Sequence, residues 1–394
     1  MNLFFWVGFL ALFFQLGFTL LLKRVMKQTP SIPRQKLAHE TTPKLSVIIP
    51  AFNEESNIGD CVRSVFQQSY PIDQLEVIVV NDGSTDHTSE VLSELQKSFP
   101  HLVVLNSPPR PQSPRFHGKN WACHVGSQTA SGERLLFLDA DVRLKSECLT
   151  SAVAEAQKSE LGLLTMGPAI QCGCWAEWCV QPILFGFLMA LFPIQHVNDP
   201  KSKVAFAAGP FMLFSKVVYE KIGGHWGVAN EVVEDVALAR KVKEQGTLKF
   251  FSGVAQDPYA TIRMYSNTSS LWEGWSKNAF IGLNKSFILT GLMILCITMV
   301  FLVPLLLVLI STIQMAIHGW SWNLGKSILL GMLGMSGWWS YRTLLQQATG
   351  LPAQKHWKTP LGALMVIGIL LDSALRVTLN WRWTWKGRPL NHKE

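Results

Sequence analysis

Apolar and polar positions along this chain follow two different rhythms. Between residues 45 and 138, short aliphatic runs alternate with longer stretches whose apolar positions recur at helical spacing. Residues 45–50, 75–80, 102–105 and 135–138 are unbroken or nearly unbroken apolar runs, which predicts strands buried on both faces. Residues 57–68 place Ile58, Cys61, Val62, Val65 and Phe66 on one helical face. A second helix starts near Ser84 or Thr85, with Val91, Leu92 and Leu95 on its apolar face, and a third covers 120–130. This β-α-β-α-β-α-β order predicts an α/β domain with a mostly parallel, doubly wound sheet. Past Asp141 the spacing predicts a helix over 146–158 and a strand over 162–167. The apolar stretch 175–197 follows, and its part at 179–193 is too short to cross a bilayer. It reads equally as a helix lying on a membrane surface or as a buried core helix. The sequence carries no internal repeat and no low-complexity tract.

The ends have a different rhythm. Residues 3–22 contain no charged side chain and suffice to cross a bilayer core. With no basic leader and no small-residue cleavage site, residues 1–27 read as an uncleaved anchor. Lys23, Arg24 and Lys27 follow it directly, which predicts that this side, and the domain after it, faces the cytoplasm. Residues 28–43, rich in Pro, Thr and Gln, read as a linker, and 44–285 as the globular domain. Residues 286–394 then form a membrane region of two or three helices with a short basic tail. Residues 287–310 are a clear span, 327–345 a second despite Tyr341 and Arg342, and 361–379 a weaker third that contains Asp372 and Arg376. A third crossing would place Arg382, Lys386, Arg388 and Lys393 opposite the globular domain, against the positive-inside tendency. Interfacial or re-entrant placement is therefore favoured. The expectation is a multi-pass protein of the cell membrane.

Composition adds little to this picture. Charged residues are 16% of the 394 and hydrophobic ones 48%, as membrane segments require, and the net charge of +8 gathers near those segments, where lipid headgroups account for it. No basic stripe interleaved with aromatics points to nucleic acid. Of the seven cysteines only Cys172, Cys174 and Cys179 cluster, at a spacing that fits no common zinc site. Reduced structural thiols are expected.

The chemistry lies where strands end. Pro50-Ala51-Phe52-Asn53-Glu54 closes the first strand, and the Glu54 carboxylate can accept from ribose hydroxyls or a base; a solvated turn with Asn57 capping the next helix is the plainer reading. Asp82, in Asn81-Asp82-Gly83-Ser84-Thr85-Asp86, closes the second, although the run is also a good turn. Asp139 and Asp141 close the fourth, at alternate positions that suit a hard divalent cation, Mg²⁺ or Mn²⁺, holding a diphosphate. Carboxylates converging on the ligand-binding edge of a parallel sheet predict a nucleotide diphosphate site. His117-Gly118-Lys119-Asn120 precedes a helix, so Lys119 serves either an anion site or an exposed loop. Glu234 and Asp235 open another helix, where acids are favoured by the dipole alone, and Asp235 suits general-base work. The small Ala207-Ala208-Gly209-Pro210-Phe211 run resembles a wall beside a sugar. Trp275 and Lys277, just before the membrane block, are either interfacial anchors or groups that close over the donor.

Taken in order, residues 46–54, 79–86, Asp139-Ala140-Asp141 and Glu234-Asp235 resemble the family 2 inverting glycosyltransferases of GT-A fold. The resemblance implies that Glu54 and Asp82 hold uridine, that Asp139 and Asp141 hold the metal and sugar nucleotide, and that Asp235 activates the acceptor. Processive members carry Gln-x-x-Arg-Trp where this chain has Glu273-Gly274-Trp275-Ser276-Lys277-Asn278. This chain therefore looks more like bacterial carotenoid or hopanoid glycosyltransferases than a polymer synthase. The expected function is metal-dependent inverting transfer of a hexose from a nucleotide sugar, UDP-linked, to a lipid-soluble acceptor at the cytoplasmic membrane face. The alternatives are a polyprenyl-phosphate glycosyltransferase and a polysaccharide synthase with channel.

Overall fold

The computed structural model describes residues 3–114, 116, 119–253, 258–379, 381, 383–386 and 388–390. The chain divides into two compact units. One comprises residues 28–171 and 192–264; the other comprises residues 1–27, 172–191 and 265–394.

The first unit is α/β. Its strands are β1 (Leu45–Ala51), β2 (Leu75–Asn81), β3 (Leu102–Asn106), β4 (Arg134–Leu138), β5 (Val142–Leu144), β6 (Leu163–Gly167), β7 (Ala169–Ile170), β8 (Phe211–Ser215), β9 (Leu248–Ser252) and β10 (Ala260–Ile262). Among the described residues, seven of these form one sheet in the order β3-β2-β1-β4-β8-β6-β9. β1, β2, β3 and β4 pair in parallel, as do β6 and β9, while β8 runs antiparallel to both β4 and β6. The predicted parallel core is present; the antiparallel strand inserted at its centre was not foreseen. Val47, Ile48, Ile49, Val77–Val80 and Leu135–Leu138 are buried, which accounts for their unbroken apolar character. A small second sheet, β5-β10-β7, flanks the main one.

Helices Ile58–Phe66, Asn120–Thr129 and Cys148–Lys158 match the spacing read from sequence. The second helix does not start at Ser84 or Thr85 but runs Thr88–Ser98. Asp86 accepts from the Thr88 amide at 3.0 Å and Asn81 from the Ser84 amide at 3.0 Å, so residues 82–87 are held as a loop. Asn57 makes no side-chain cap; its amide goes to Glu54 instead. The segment read as a linker is tied down: the Ser252 amide donates to the Pro30 carbonyl and Gln35 Nε2 to Glu155.

The second unit is helical: Leu3–Lys27, Trp175–Leu191, Thr268–Gly282, Phe287–His318 with a π turn at 298–302, Trp322–Thr349 and Thr359–Thr378. Among the described residues, Leu3–Lys27, Phe287–His318 and His356–Thr378 are long and apolar enough to cross a membrane. The stretch expected over 327–345 is the middle of the 28-residue helix Trp322–Thr349, long enough to span but outside that apolar set. Gly331 and Gly334 let it approach Pro304 closely. The stretch read equally as a membrane-surface helix or a buried core helix is the helix Trp175–Leu191, with Pro182 inside it and most of its residues, 179–184 among them, buried. Residues 383–385 and 388–390 form a short antiparallel hairpin; Arg382, Gly387 and Lys393 of the basic tail lie outside the described residues. The seven cysteines are free thiols.

Candidate active site

Three neighbouring parallel strands deliver the acidic residues to one edge. Pro50 pairs in register with Val80, and Ala51 with Asn81, so Asp82 follows directly beside the end of β1. Ile48 pairs with Phe137, which sets Asp139 on the other side of the same strand end. Pro50 is half-buried within β1, and the chain after it turns at Asn53, with φ of 52°. The loops after β1 and β2 are stitched together: the Thr85 amide donates to Asn53 Oδ1 at 2.8 Å, the Glu54 amide to Thr88 Oγ1 at 2.8 Å, and the His87 amide to Glu55 at 2.9 Å. The Glu54 carboxylate accepts from Asn57 Nδ2 at 3.0 Å.

Asp82 is buried, and its carboxylate is bracketed by Ser107 Oγ at 2.7 Å and the Arg110 guanidinium at 2.5 Å. Sequence reading missed both partners. They come from the irregular segment after β3, whose proximity to Asp82 only the strand order reveals. Trp121 Nε1 donates to the Pro108 carbonyl at 2.7 Å, and Phe116 packs on Trp121 and Trp226, so an aromatic cluster holds this segment.

Lys119 is the hub of the second half. Its ammonium lies 2.5 Å from Asp139 Oδ1 and 3.5 Å from Glu234, and it donates to the Gly209 carbonyl at 3.3 Å. Lys119 is not an exposed loop lysine; its ammonium is seated among carboxylates. His117 and Gly118 lie outside the described residues. The same Gly209 peptide donates its N–H to Asp235 Oδ2 at 3.1 Å. A Cβ on Gly209 would stand 2.8 Å from Asp235 Oδ2, so a side chain there would force the carboxylate to shift. Within the run read as a sugar wall, the Gly209 peptide bonds both Lys119 and Asp235.

Glu234 and Asp235 open the helix Glu234–Lys243, and Asp235 Oδ1 accepts from the Val236 amide at 2.8 Å. Burial raises the Asp235 pKa, the Glu234 charge raises it further, and Lys119 opposes them; the result is a carboxyl pushed up to about 7. Asp141 follows Asp139 in a turn that the Val142 amide closes on the Asp139 carbonyl at 3.1 Å. Glu54, Asp139, Asp141 and Arg143 all act electrostatically on the Cys61 thiol, whose Sγ donates to the Asp139 carbonyl at 3.6 Å. Burial holds that thiol far above its ordinary range, so it is a structural group.

Among the described residues, no cluster of three or more His, Cys, Asp or Glu residues forms a complete metal cage. Asp139 and Asp141 instead offer two carboxylates, the partial set that Mg²⁺-type ions use when substrate phosphates supply other ligands. By donor chemistry the two carboxylates suit such an ion, and Lys119 Nζ lies 2.5 Å from Asp139 Oδ1.

Trp275 and Lys277 belong to the helix Thr268–Gly282 of the other unit. Trp275 is buried edge-on against Phe185, with ring centroids 5.8 Å apart, and Lys277 is half-buried. The strand-edge unit itself brings together Glu54, Asp82, Lys119, Asp139, Asp141, Glu234 and Asp235.

Residues 46–223 match the family model described as Glycosyl transferase family 2. The 4,4'-diaponeurosporenoate glycosyltransferase of Staphylococcus aureus (strain USA300) is 30% identical over 242 residues, covering 60% of this chain and 61% of that protein. The protein of the same name from strain MRSA252 matches with the same identity and coverage. The chain therefore spans about three-fifths of the length of these curated relatives. A mannosyltransferase from Pyrobaculum calidifontis, solved in complex with GDP-Man and Mn²⁺, superposes with a TM-score of 0.53 at 17% identity, covering 96% of this chain and 100% of that one. That likeness shows the GT-A-like fold.

Proposed function

We propose that this protein, whose residues 46–223 match the family model described as Glycosyl transferase family 2, transfers a hexose from a nucleotide sugar, UDP-linked, to a lipid-soluble acceptor in the cell membrane. The observation that carries the reading is the alignment of three acidic strand ends with a base-bearing helix start, joined through Lys119 and the Gly209 peptide. A lipid acceptor is supported by the name of the Staphylococcus aureus relatives and by helices apolar enough to enter a bilayer.

In this mechanism Glu54 and Asp82 receive the nucleoside. Ser107 and Arg110 fix the direction of the Asp82 carboxylate and limit its rotation. Asp139 and Asp141 would hold Mg²⁺ or Mn²⁺, which when bound supplies positive charge for the departing diphosphate. Lys119 holds Asp139 and Glu234 close together. The acceptor oxygen forms its bond to the anomeric carbon as the bond to the diphosphate oxygen breaks, with inversion. The acceptor's proton passes to Asp235, and the nucleoside diphosphate leaves with the bonding electrons. The raised pKa of Asp235 suits a base near neutrality, strong enough to accept a proton and ionised in about half the molecules.

Donor choice is tested by thermal shift with UDP and GDP, each with Mn²⁺. The reading predicts a larger rise in unfolding midpoint with UDP, and loss of that rise in Asp82→Ala. A larger rise with GDP would replace the nucleotide while leaving the transfer reading in place.

A further inference from the structure

The helical unit contains a sequence contradiction that its own contacts resolve. Thr359–Thr378 is long and apolar enough to span, yet a crossing there would separate the basic tail from Lys23, Arg24 and Lys27. The three other long helices define two ends. Leu3–Lys27 and Trp322–Thr349 run parallel: Gly8 faces Leu330, Gln15 faces Gly334 and Gly337, and Phe18 stacks on Tyr341 at 5.8 Å. Phe287–His318 runs antiparallel to Trp322–Thr349: Trp338 Nε1 donates to the Val300 carbonyl at 3.0 Å, and Gly331 abuts Pro304 and Val308. Lys27, Phe287 and Thr349 therefore share one end. Lys23, Arg24, Lys285, Lys355 and Lys358 gather there, whereas Trp320 and Trp322, both exposed, mark the other.

Thr359–Thr378 is tied to the basic end at both of its own ends. On its N-terminal side, the Ala353 amide donates to Gln346, Arg342 donates to the carbonyls of Trp178 and Pro352, Lys355 Nζ lies 3.9 Å from the Trp178 ring, and Gly362 abuts the Cys179 backbone. On its C-terminal side, the Phe280 amide donates to Ser373 Oγ at 3.0 Å and Trp272 Nε1 to Asp372 at 3.0 Å, while Phe280 packs on Phe287 at 5.0 Å. Asp372 also pairs with Arg376 at 2.8 Å, so the charges that weakened this segment as a span have partners within the unit. One face of the helix, including Gly362, Ala363, Val366, Ile369, Leu370 and Ser373, is buried in the protein. Leu361, Leu364, Leu371, Leu375 and Leu379 point outward at helical spacing, flanked by the exposed Trp357 and Trp381.

We propose that residues 350–379 re-enter rather than cross, laying this leucine face into the leaflet at the basic end of the helices, so that the chain crosses the membrane three times. Arg376, Lys386 and Arg388 then share a side with Lys23, Arg24 and Lys27, as positive-inside placement requires. Anionic headgroups of that leaflet are the partner that basic residues flanking an apolar helix fit.

The test is side-specific labelling of the full chain in a bacterial host. Lys358→Cys, Lys386→Cys and Trp320→Cys are treated with a membrane-impermeant maleimide in spheroplasts and in inside-out vesicles, and each introduced site is read by mass spectrometry. Lys358→Cys and Lys386→Cys are expected to react at least tenfold more in inside-out vesicles, and Trp320→Cys more in spheroplasts. A protease-sensitive tag appended after Glu394 is expected to survive protease outside spheroplasts and to be lost from inside-out vesicles. Labelling of Lys386→Cys from outside spheroplasts, or loss of the tag there, would overturn the proposal. No transfer assay enters these measurements, so they stand apart from the proposed activity.

Discussion

Asp235 carries the sharpest consequences of any single residue. Its raised pKa follows from burial and from the adjacent Glu234 charge. A base must be ionised, so turnover is expected to rise with pH through about 7, and Glu234→Gln, which removes a charge that raises the pKa, is expected to move that acid limb to lower pH. A pH–rate profile of the two proteins checks this; an unmoved limb assigns the titration to another group. The same shift has a stability sign. The folded pKa lies above the unfolded one, so the stabilisation is fully present below the ordinary carboxylate pKa and is lost as pH rises through about 7. Asp235→Asn is expected to cut turnover by about 10²–10⁴-fold while leaving UDP binding intact, measured by calorimetry.

Just before β8, the Gly209 peptide bonds both Lys119 and Asp235 of the helix Glu234–Lys243. Gly209→Ala would set a methyl 2.8 Å from Asp235 Oδ2, so the carboxylate that accepts from the Gly209 amide must shift. A loss of turnover at unchanged fold, read by circular dichroism beside the assay, is expected. Wild-type rates would remove Gly209 from the machinery. Arg110→Ala should weaken nucleotide binding more than it slows turnover at saturating donor, because it braces Asp82 rather than the reacting atoms. These elements also show what a sequence exposes. The parallel strands were legible because burial on both faces forces runs such as Val77–Val80 to be apolar throughout. Their acidic ends were legible because Asp82 and Asp139 break those runs abruptly. The antiparallel β8, Phe-Met-Leu-Phe-Ser, is equally apolar but follows a glycine-proline turn and carries no sign of direction. Arg110 and Ser107 were hidden because contact with Asp82 depends on where an irregular segment folds back. The helix read as starting at Ser84 begins at Thr88 because side chains of Asn81 and Asp86 capture the intervening amides.

At the scale of the whole molecule, the helical unit relies on close backbone approach rather than on apolar contact alone, as helices in lipid do. Gly362 sits against the Cys179 backbone with no room for a side chain. Gly362→Leu is expected to cost about 1–3 kcal/mol and to lower the unfolding midpoint in detergent, while leaving the strand-edge carboxylates in place. An unchanged midpoint would mean that this helix contact contributes little. The central claim, sugar transfer to a lipid, is tested most directly with purified protein, radiolabelled UDP-sugar, Mn²⁺ and a total membrane lipid extract. The account predicts label moving into the organic phase, and its loss with EDTA or in Asp141→Ala. Label that stays in the aqueous phase with the wild-type protein across the common nucleotide sugars, or transfer undiminished in Asp141→Ala, would contradict it.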